Sequence, residues 1–461
     1  MNIKKYVGDK EFYKMVLTIA VPIMIQNGIT NFVSMLDNIM VGQIGTDAMS
    51  GVAIANQFIF IFSLFIFGAI SGPGIFSAQF YGNENHEGVR QTFRFKLILC
   101  GIITLAGMFI MGTFRHELIS MFLHDGSTTG NIAETLKYGS GYLAIDIIGL
   151  IPFAIMQSYS STLRETGETI VPMKAGIAAV AVNLIFNYLL IFGKFGFPML
   201  GAYGAAIATV ISRIVECLIV VIWTHTHKER NKFIVGAYKT FKIEKTLTKH
   251  IIVRGTPLLL NEGLWAMGMS TLNAIYSRGG LAVVAGLNIS STISNVFNIV
   301  YIALGSSISI IIGQLLGAGK MEEARDTDTK LITFSVVSCL VFGFLMAMVS
   351  PLFPRIYNTT DEVRHYATSF ILIVALCMPL EAFMNASYFT MRSGGKTFIT
   401  FLFDSVSIWV ISIPFAFILM NYTSIGVIKV YLFCQLISII KCIIGFILVK
   451  KGVWINNIVL E

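Results

Sequence analysis

Twelve apolar stretches, each about 20 residues or longer, run along the chain and are separated by polar segments: about 14–43, 50–80, 95–114, 138–161, 170–192, 200–224, 251–276, 283–316, 331–351, 366–390, 397–420 and 425–449. A helix needs about 20 apolar residues to cross hydrocarbon, so this pattern predicts twelve transmembrane helices. The expected fold class is an all-α polytopic membrane protein. The first stretch breaks its own pattern twice. Pro22 lacks a backbone donor and predicts a kink. Asp37 is costly in hydrocarbon unless a partner or a wet cavity receives it. It is either an interfacial aspartate just past the span or an ion or proton site facing an internal cavity.

The polar segments set the orientation. Of 33 Lys and Arg, 25 fall on the side of the N-terminus, among them Lys4, Lys5, Lys10 and Lys14, when the segments are assigned to alternate sides. Seven fall opposite (Arg115, Lys137, Lys194, Arg278, Arg355, Arg364 and Lys429), and Arg213 lies within the sixth stretch. By the positive-inside rule both termini are cytoplasmic. Lys4 and Lys5 precede a run too long for a signal peptide, and no small-residue cleavage site follows, so the run reads as a retained first helix.

The longest polar segment, 225–250, divides the chain into an N-terminal bundle (1–224), a cytoplasmic linker and a C-terminal bundle (251–461). Shifting residues 22–90 by 235 positions gives 13 identities in 69, among them Pro22/Pro257, Gly28/Gly263, Gly51/Gly286, Gln79/Gln314, Gly82/Gly317 and Arg90/Arg325. A shift of 228 pairs Arg164/Arg392, Gly167/Gly395 and Thr169/Thr397. Six spans per copy make the repeats parallel, so two pseudo-symmetric six-helix bundles around a central cleft are expected.

Composition agrees, with 55% hydrophobic and 13% charged residues. The net charge of +8 is spread over short inter-span runs, which excludes a nucleic-acid face. Cys100, Cys217, Cys339, Cys377, Cys434 and Cys442 all lie in apolar runs without a CxxC pair, so neither disulfides nor a thiolate metal site is indicated. His86, His116, His124, His225, His227, His250 and His365 fall in loops or at segment edges, and no G-x4-GK[ST] motif occurs. A membrane-embedded metalloenzyme or an ATPase is therefore disfavoured. His225 and His227 read as part of a solvated basic loop.

The copies differ where chemistry is expected. Asp37 aligns with Leu272, and Asn183 and Asn187 align with Ile411 and Phe415. The two asparagines are spaced i, i+4 and share a helix face. At about 1.5 Å per residue, Asp37, Asn187 and Thr209 fall in the outer half of the N-terminal bundle. Their hard oxygen donors suit a small cation or a proton-linked network; the competing reading is hydrogen bonding that only joins helices. Glu262 and Glu381 lie near mid-depth in the seventh and tenth spans. They either attract cationic guests or are satisfied internally. Asp146 and Asp404 read as closer to an interface. The 21 Met and 36 Phe suit a pliable apolar binding surface.

P-x3-Q with LDNIMVGQIG (36–45), QFYGNENHEGVR (79–90), LRETGET (163–169), NLIFNYLLIFGKFGFPMLGAYGAAIAT (183–209), GQLLGAGKMEEAR (313–325) and MRSGGKT (391–397) resemble the multidrug and toxic compound extrusion family, over essentially the whole chain. The resemblance implies a secondary active antiporter that exports organic, mostly cationic compounds, driven by inward sodium or proton flow. It also implies that Asp37, Asn183, Asn187 and Thr209 match cation-coupling positions, and that Glu381 matches an acidic position of one branch. Glu262 sits about one turn nearer the proline than that branch's seventh-helix glutamate. Expected partners are small organic cations and the lipid bilayer of the cell membrane, with no nucleic acid, no catalytic residues and no cofactor beyond the coupling ion; a monomer is expected. The alternative is a lipid-linked oligosaccharide flippase, which would line its cleft with Arg and Lys. Here Arg213 reads as the intramembrane cation and the mid-depth charges as acidic.

Overall fold

The computed structural model describes residues 6–123 and 131–460, so the expectations resting on Lys4, Lys5 and His124 lie outside the described residues. Twelve long helical segments follow one another: α1 (Lys10–Gly42), α2 (Thr46–Gly82), α3 (His86–Thr113), α4 (Ile132–Glu165), α5 (Ile170–Phe192), α6 (Ala202–Thr226), α7 (Lys245–Tyr276), α8 (Leu281–Gly317), α9 (Met321–Val349), α10 (Asp361–Ser393), α11 (Thr397–Tyr422) and α12 (Val427–Lys451). No strand occurs among the described residues. Eleven helices among those residues are long and apolar enough to span a membrane. α7 has the length but not the apolarity, because Lys249, Arg254, Asn261 and Glu262 interrupt it.

Local chemistry sets several boundaries. The Asp9 carboxylate accepts from the Phe12 amide at 2.8 Å and starts α1, and Asn131 accepts from Ala133 and Glu134 at the start of α4. Gly193 and Gly452 adopt the left-handed conformation that ends α5 and α12. α1 runs through Pro22 as one continuous helix. In α11, two π-helical turns cover Leu402–Val406 and Ile408–Ser412, just before Pro414. The proline has no amide proton and its ring crowds the carbonyl one turn back, which favours the wider hydrogen-bonding register.

The chain forms two compact units. One comprises residues 25–77 and 86–249; the other comprises 1–24, 78–85 and 250–461. In the first, Val52, Phe62, Ile66, Leu143, Leu150 and Ile191 lie at the centre of a continuous apolar core. A Cβ on Gly51 of α2 would stand 2.6 Å from the Thr135 carbonyl and 2.7 Å from the Gly139 nitrogen, so the two backbones touch there. This unit also holds the linker in place. Arg90 Nε donates to the Phe233 carbonyl at 3.2 Å, and Arg94 Nε to the Ala237 carbonyl at 2.8 Å. His225 is half-buried and bonds the Tyr159 hydroxyl at 3.0 Å, while Tyr159 also bonds the Tyr238 hydroxyl. The expected solvated loop is therefore docked on its bundle.

In the second unit, the C-terminal ends of α2 and α8 cross at their repeat-related glycines. A Cβ on Gly82 would fall 1.9 Å from the Gln314 carbonyl oxygen, and one on Gly317 would fall 1.9 Å from that of Gln79. The contact is reciprocal because Gln79/Gln314 and Gly82/Gly317 are the same positions of the two copies. Only glycine permits that approach. Gln79 also pins the C-terminal tail, with Nε2 donating to the Ser393 and Asn456 carbonyls at 2.9 and 3.1 Å and Oε1 accepting from the Ile458 amide at 2.8 Å. Two of the motif identities are thus packing requirements rather than chemistry.

Candidate cation and substrate sites

The first candidate site is built from α1, α4, α5 and α6. Asn183 and Asn187 are four residues apart, just over one helical turn, so both side chains leave α5 on one face, and both are buried. Asn187 Nδ2 donates to Asp37 Oδ1 at 2.5 Å and to Asn183 Oδ1 at 3.0 Å. Asp37 is half-buried and held by an amide. Asn187 Oδ1 is buried with no hydrogen-bond partner. An unpaired carbonyl oxygen at that depth is costly, and a cation or a proton carried by a neighbour would satisfy it.

Thr209 does not bond this trio: its hydroxyl donates to the Ala205 carbonyl at 3.0 Å. Tyr142 of α4 lies within electrostatic reach of Asp37, Asp146 and Arg213. Tyr142 is buried and was not foreseen from sequence, where one tyrosine among 16 carries no signal. Asp146 is fully inside rather than interfacial, and Arg213 Nη1 bonds both its oxygens at 3.0 and 3.1 Å. That pair neutralises the two charges next to the trio, leaving Asp37 as the carboxylate facing the amides. No group of three or more His, Cys, Asp and Glu able to hold a metal occurs among the described residues.

The second candidate site lies in α7, α10, α11 and α12 of the other unit. Asn261 Nδ2 donates to Asp404 Oδ2 at 2.9 Å, and Ser405 Oγ donates to Asn261 Oδ1 at 2.6 Å. These bonds tie the π-helical turn of α11 to α7. Glu381 of α10 accepts from Ser438 of α12 at 3.2 Å. Glu262 stands within electrostatic reach of Arg392 and Asp404, and Glu381 of Lys441 and Asp404. Asp404, expected near an interface, is thus the carboxylate that Glu262 and Glu381 share as a neighbour. Lys441 corrects the expectation that Arg213 is the intramembrane cation: it sits inside α12, ten residues before Lys451 at the end of the helix. Lys96 of α3 is also completely buried, paired with Glu165 and bonded to Ser161 and Thr162 at 3.1 Å each. Sequence spacing did not separate these lysines from loop lysines, because each lies within reach of a polar run.

A family model, MatE, matches residues 22–189 and 257–418, one block in each half of the chain. The chain belongs to the MatE family. Among relatives of this MatE protein, the probable multidrug resistance protein YoeA of Bacillus subtilis is 25% identical over 89% of this chain and 88% of its own length. The probable multidrug resistance protein NorM of Thermotoga maritima is 24% identical over 98% of this chain and 95% of its own. The fold is similar to an outward-facing multidrug resistance MATE family transporter of the MOP superfamily, with a TM-score of 0.85 at 17% identity and 98% of each chain covered. It is also similar to a MOP superfamily transporter from Pyrococcus furiosus described as having a reversed polarity of binding pocket, with a TM-score of 0.84 at 18% identity and 97% of each chain covered. The MatE protein is an all-helical membrane transporter of that family.

Proposed function

We propose that this MatE protein is a secondary active antiporter of the cell membrane, exporting organic, mostly cationic compounds against inward flow of sodium or protons by alternating access. The observation that carries the reading is the orphaned Asn187 Oδ1 beside the Asp37 carboxylate. Around it, Asn183 and Asn187 supply neutral oxygens and Asp37 the formal charge, with Thr209 a further hydroxyl of the donor set. That donor set fits a small hard cation or a shared proton. Binding there neutralises Asp37, and a ligand shifts a two-state equilibrium only by its difference in affinity for the two states. Substrate contacts fall to Glu381 and Glu262 in the other unit. Both termini are cytoplasmic on the charge distribution, and the protein works as a monomer.

The test is efflux of an organic cation from proteoliposomes with a sodium gradient and a proton gradient imposed separately. Acceleration by one gradient, abolished by Asp37→Asn, is expected. Efflux indifferent to both gradients would refute ion coupling.

A further inference from the structure

The depth of the 225–250 linker is set by the contacts that dock it. Arg94 of α3 donates from Nε to the Ala237 carbonyl at 2.8 Å and from Nη2 to that of Gly236 at 2.9 Å, and the Glu244 amide donates to Gln91 Oε1 at 3.0 Å. Phe233 packs on Phe93 with ring centroids 5.3 Å apart, and Tyr238 bonds Tyr159. Residues 93, 94 and 159 stand at the cytoplasmic edges of the apolar stretches 95–114 and 138–161. The linker therefore lies beside the bundle at the edge of the hydrocarbon, not beneath the helix ends. Its bearing is fixed as well. Ile98, Ile102, Leu105 and Phe109 follow Arg94 at helical spacing and form an exposed apolar stripe, the lipid-facing side of α3. Arg94 is buried under the linker at the foot of that stripe. The linker's own exposed side chains include Val235, Tyr238 and Phe241, interleaved with Lys232, Lys239 and Lys242.

We infer that the docked linker is a binding surface for anionic phospholipid headgroups of the inner leaflet, with Tyr238 and Phe241 seated at headgroup level and Lys239 and Lys242 facing the lipid phosphates. Aromatic rings favour that level because one side is apolar and the other wet. Tyr238 and Phe241 meet edge to face at 6.2 Å, and Tyr238 stacks on His225 at 5.8 Å, so the pair is held in place before any lipid arrives. Charge complements the leaflet: residues 225–250 carry seven Lys and Arg against Glu229 and Glu244. The guanidinium groups of Arg90 and Arg94 grip linker carbonyls, which fixes the loop without neutralising its lysines. A loop already ordered loses little freedom on binding, unlike a free polybasic tail. Each lysine at an anionic surface strengthens association by about fivefold. The inference rests on the charge distribution that makes the linker cytoplasmic.

The test uses purified full-length protein in a cysteine-free background with Thr240→Cys, an exposed position between the two aromatics, labelled with bimane. The protein is placed in phosphatidylcholine nanodiscs containing a minor fraction of lipid with a doxyl quencher close to the headgroup, either phosphatidylglycerol or phosphatidylcholine. Both lipids are expected to quench, and at low salt the phosphatidylglycerol form should associate at least about fivefold more strongly. In Lys239→Gln/Lys242→Gln that preference should fall to about one while quenching by phosphatidylcholine remains, and high salt should act in the same direction. Lys239→Arg/Lys242→Arg should keep the preference, and Phe241→Ser should weaken quenching by both lipids alike. Absence of quenching by either lipid would place the linker in water and overturn the inference. Equal quenching by the two lipids before any lysine is changed, or an anionic preference that survives the Gln variant, would overturn it as well. Quencher lipid occupies both leaflets of the disc, so the result reads headgroup recognition whichever way the chain is oriented.

Discussion

Replacing Asp37 with Asn keeps the shape of the side chain and removes its charge. Asn187 Nδ2, 2.5 Å from Asp37 Oδ1, retains an oxygen acceptor in the variant. The structural loss is therefore the difference between a charge-assisted and a neutral hydrogen bond, about 1 kcal/mol. The loss to a bound cation is larger, because Asn183, Asn187 and Thr209 are neutral. At about 2.5 Å and an effective dielectric near 20, a monovalent cation gains roughly 7 kcal/mol of gross attraction from one carboxylate. Dehydration of ion and carboxylate offsets more than half of that, leaving about 3 kcal/mol, or roughly a hundredfold in Kd. Where the proton is the coupling ion, the Asn side chain has no titration at all. Gradient-driven efflux by purified Asp37→Asn protein in liposomes should fall to the passive leak. Its melting temperature in detergent should stay close to wild type, and drug binding in detergent should survive. Wild-type efflux rates from the Asn variant would refute the coupling role and return Asp37 to a helix-joining hydrogen bond.

Three further outcomes are expected. In a cysteine-free background, single cysteines at the exposed Lys239 and Lys320 should be shielded from impermeant thiol reagents in intact cells, and one at the exposed Lys194 labelled; labelling at position 239 from outside would reverse the orientation. Gly82→Ala forces a methyl onto the Gln314 carbonyl and should cost about 1–3 kcal/mol, lowering the melting temperature by several degrees. Gly101→Ala, where nothing lies within 4 Å, is the control that should melt as wild type. Lys96→Met removes the ammonium that faces Glu165 in a buried site and should destabilise by about 3–5 kcal/mol, with most of the loss restored in a Lys96→Met/Glu165→Leu double variant; a single variant that melts like wild type would show the pair to be dispensable.

The helical, membrane-spanning character of this chain was legible in sequence because hydrocarbon admits few solutions: a backbone without water must satisfy itself, and long apolar runs do so as helices. The repeat was legible too, through Gly82/Gly317 and Gln79/Gln314, since a close backbone crossing tolerates only glycine and the same crossing is made from both sides. Asn183 and Asn187 were placed on one face by helical periodicity alone. What spacing leaves open is which helices meet. Asp37 joins the asparagines about 150 residues away through tertiary packing that no local pattern records. Asp146 and Asp404 looked interfacial because depth was counted along single helices; Arg213 and Asn261, brought in from other helices, make their burial affordable. Lys441 carried the same ambiguity: a lysine ten residues from a helix end is a loop lysine or an internal counter-charge according to what α10 and α11 set against it. Composition decides that a chain enters the membrane, whereas the energy of a charge inside it depends on neighbours distant in sequence, and those only the fold supplies.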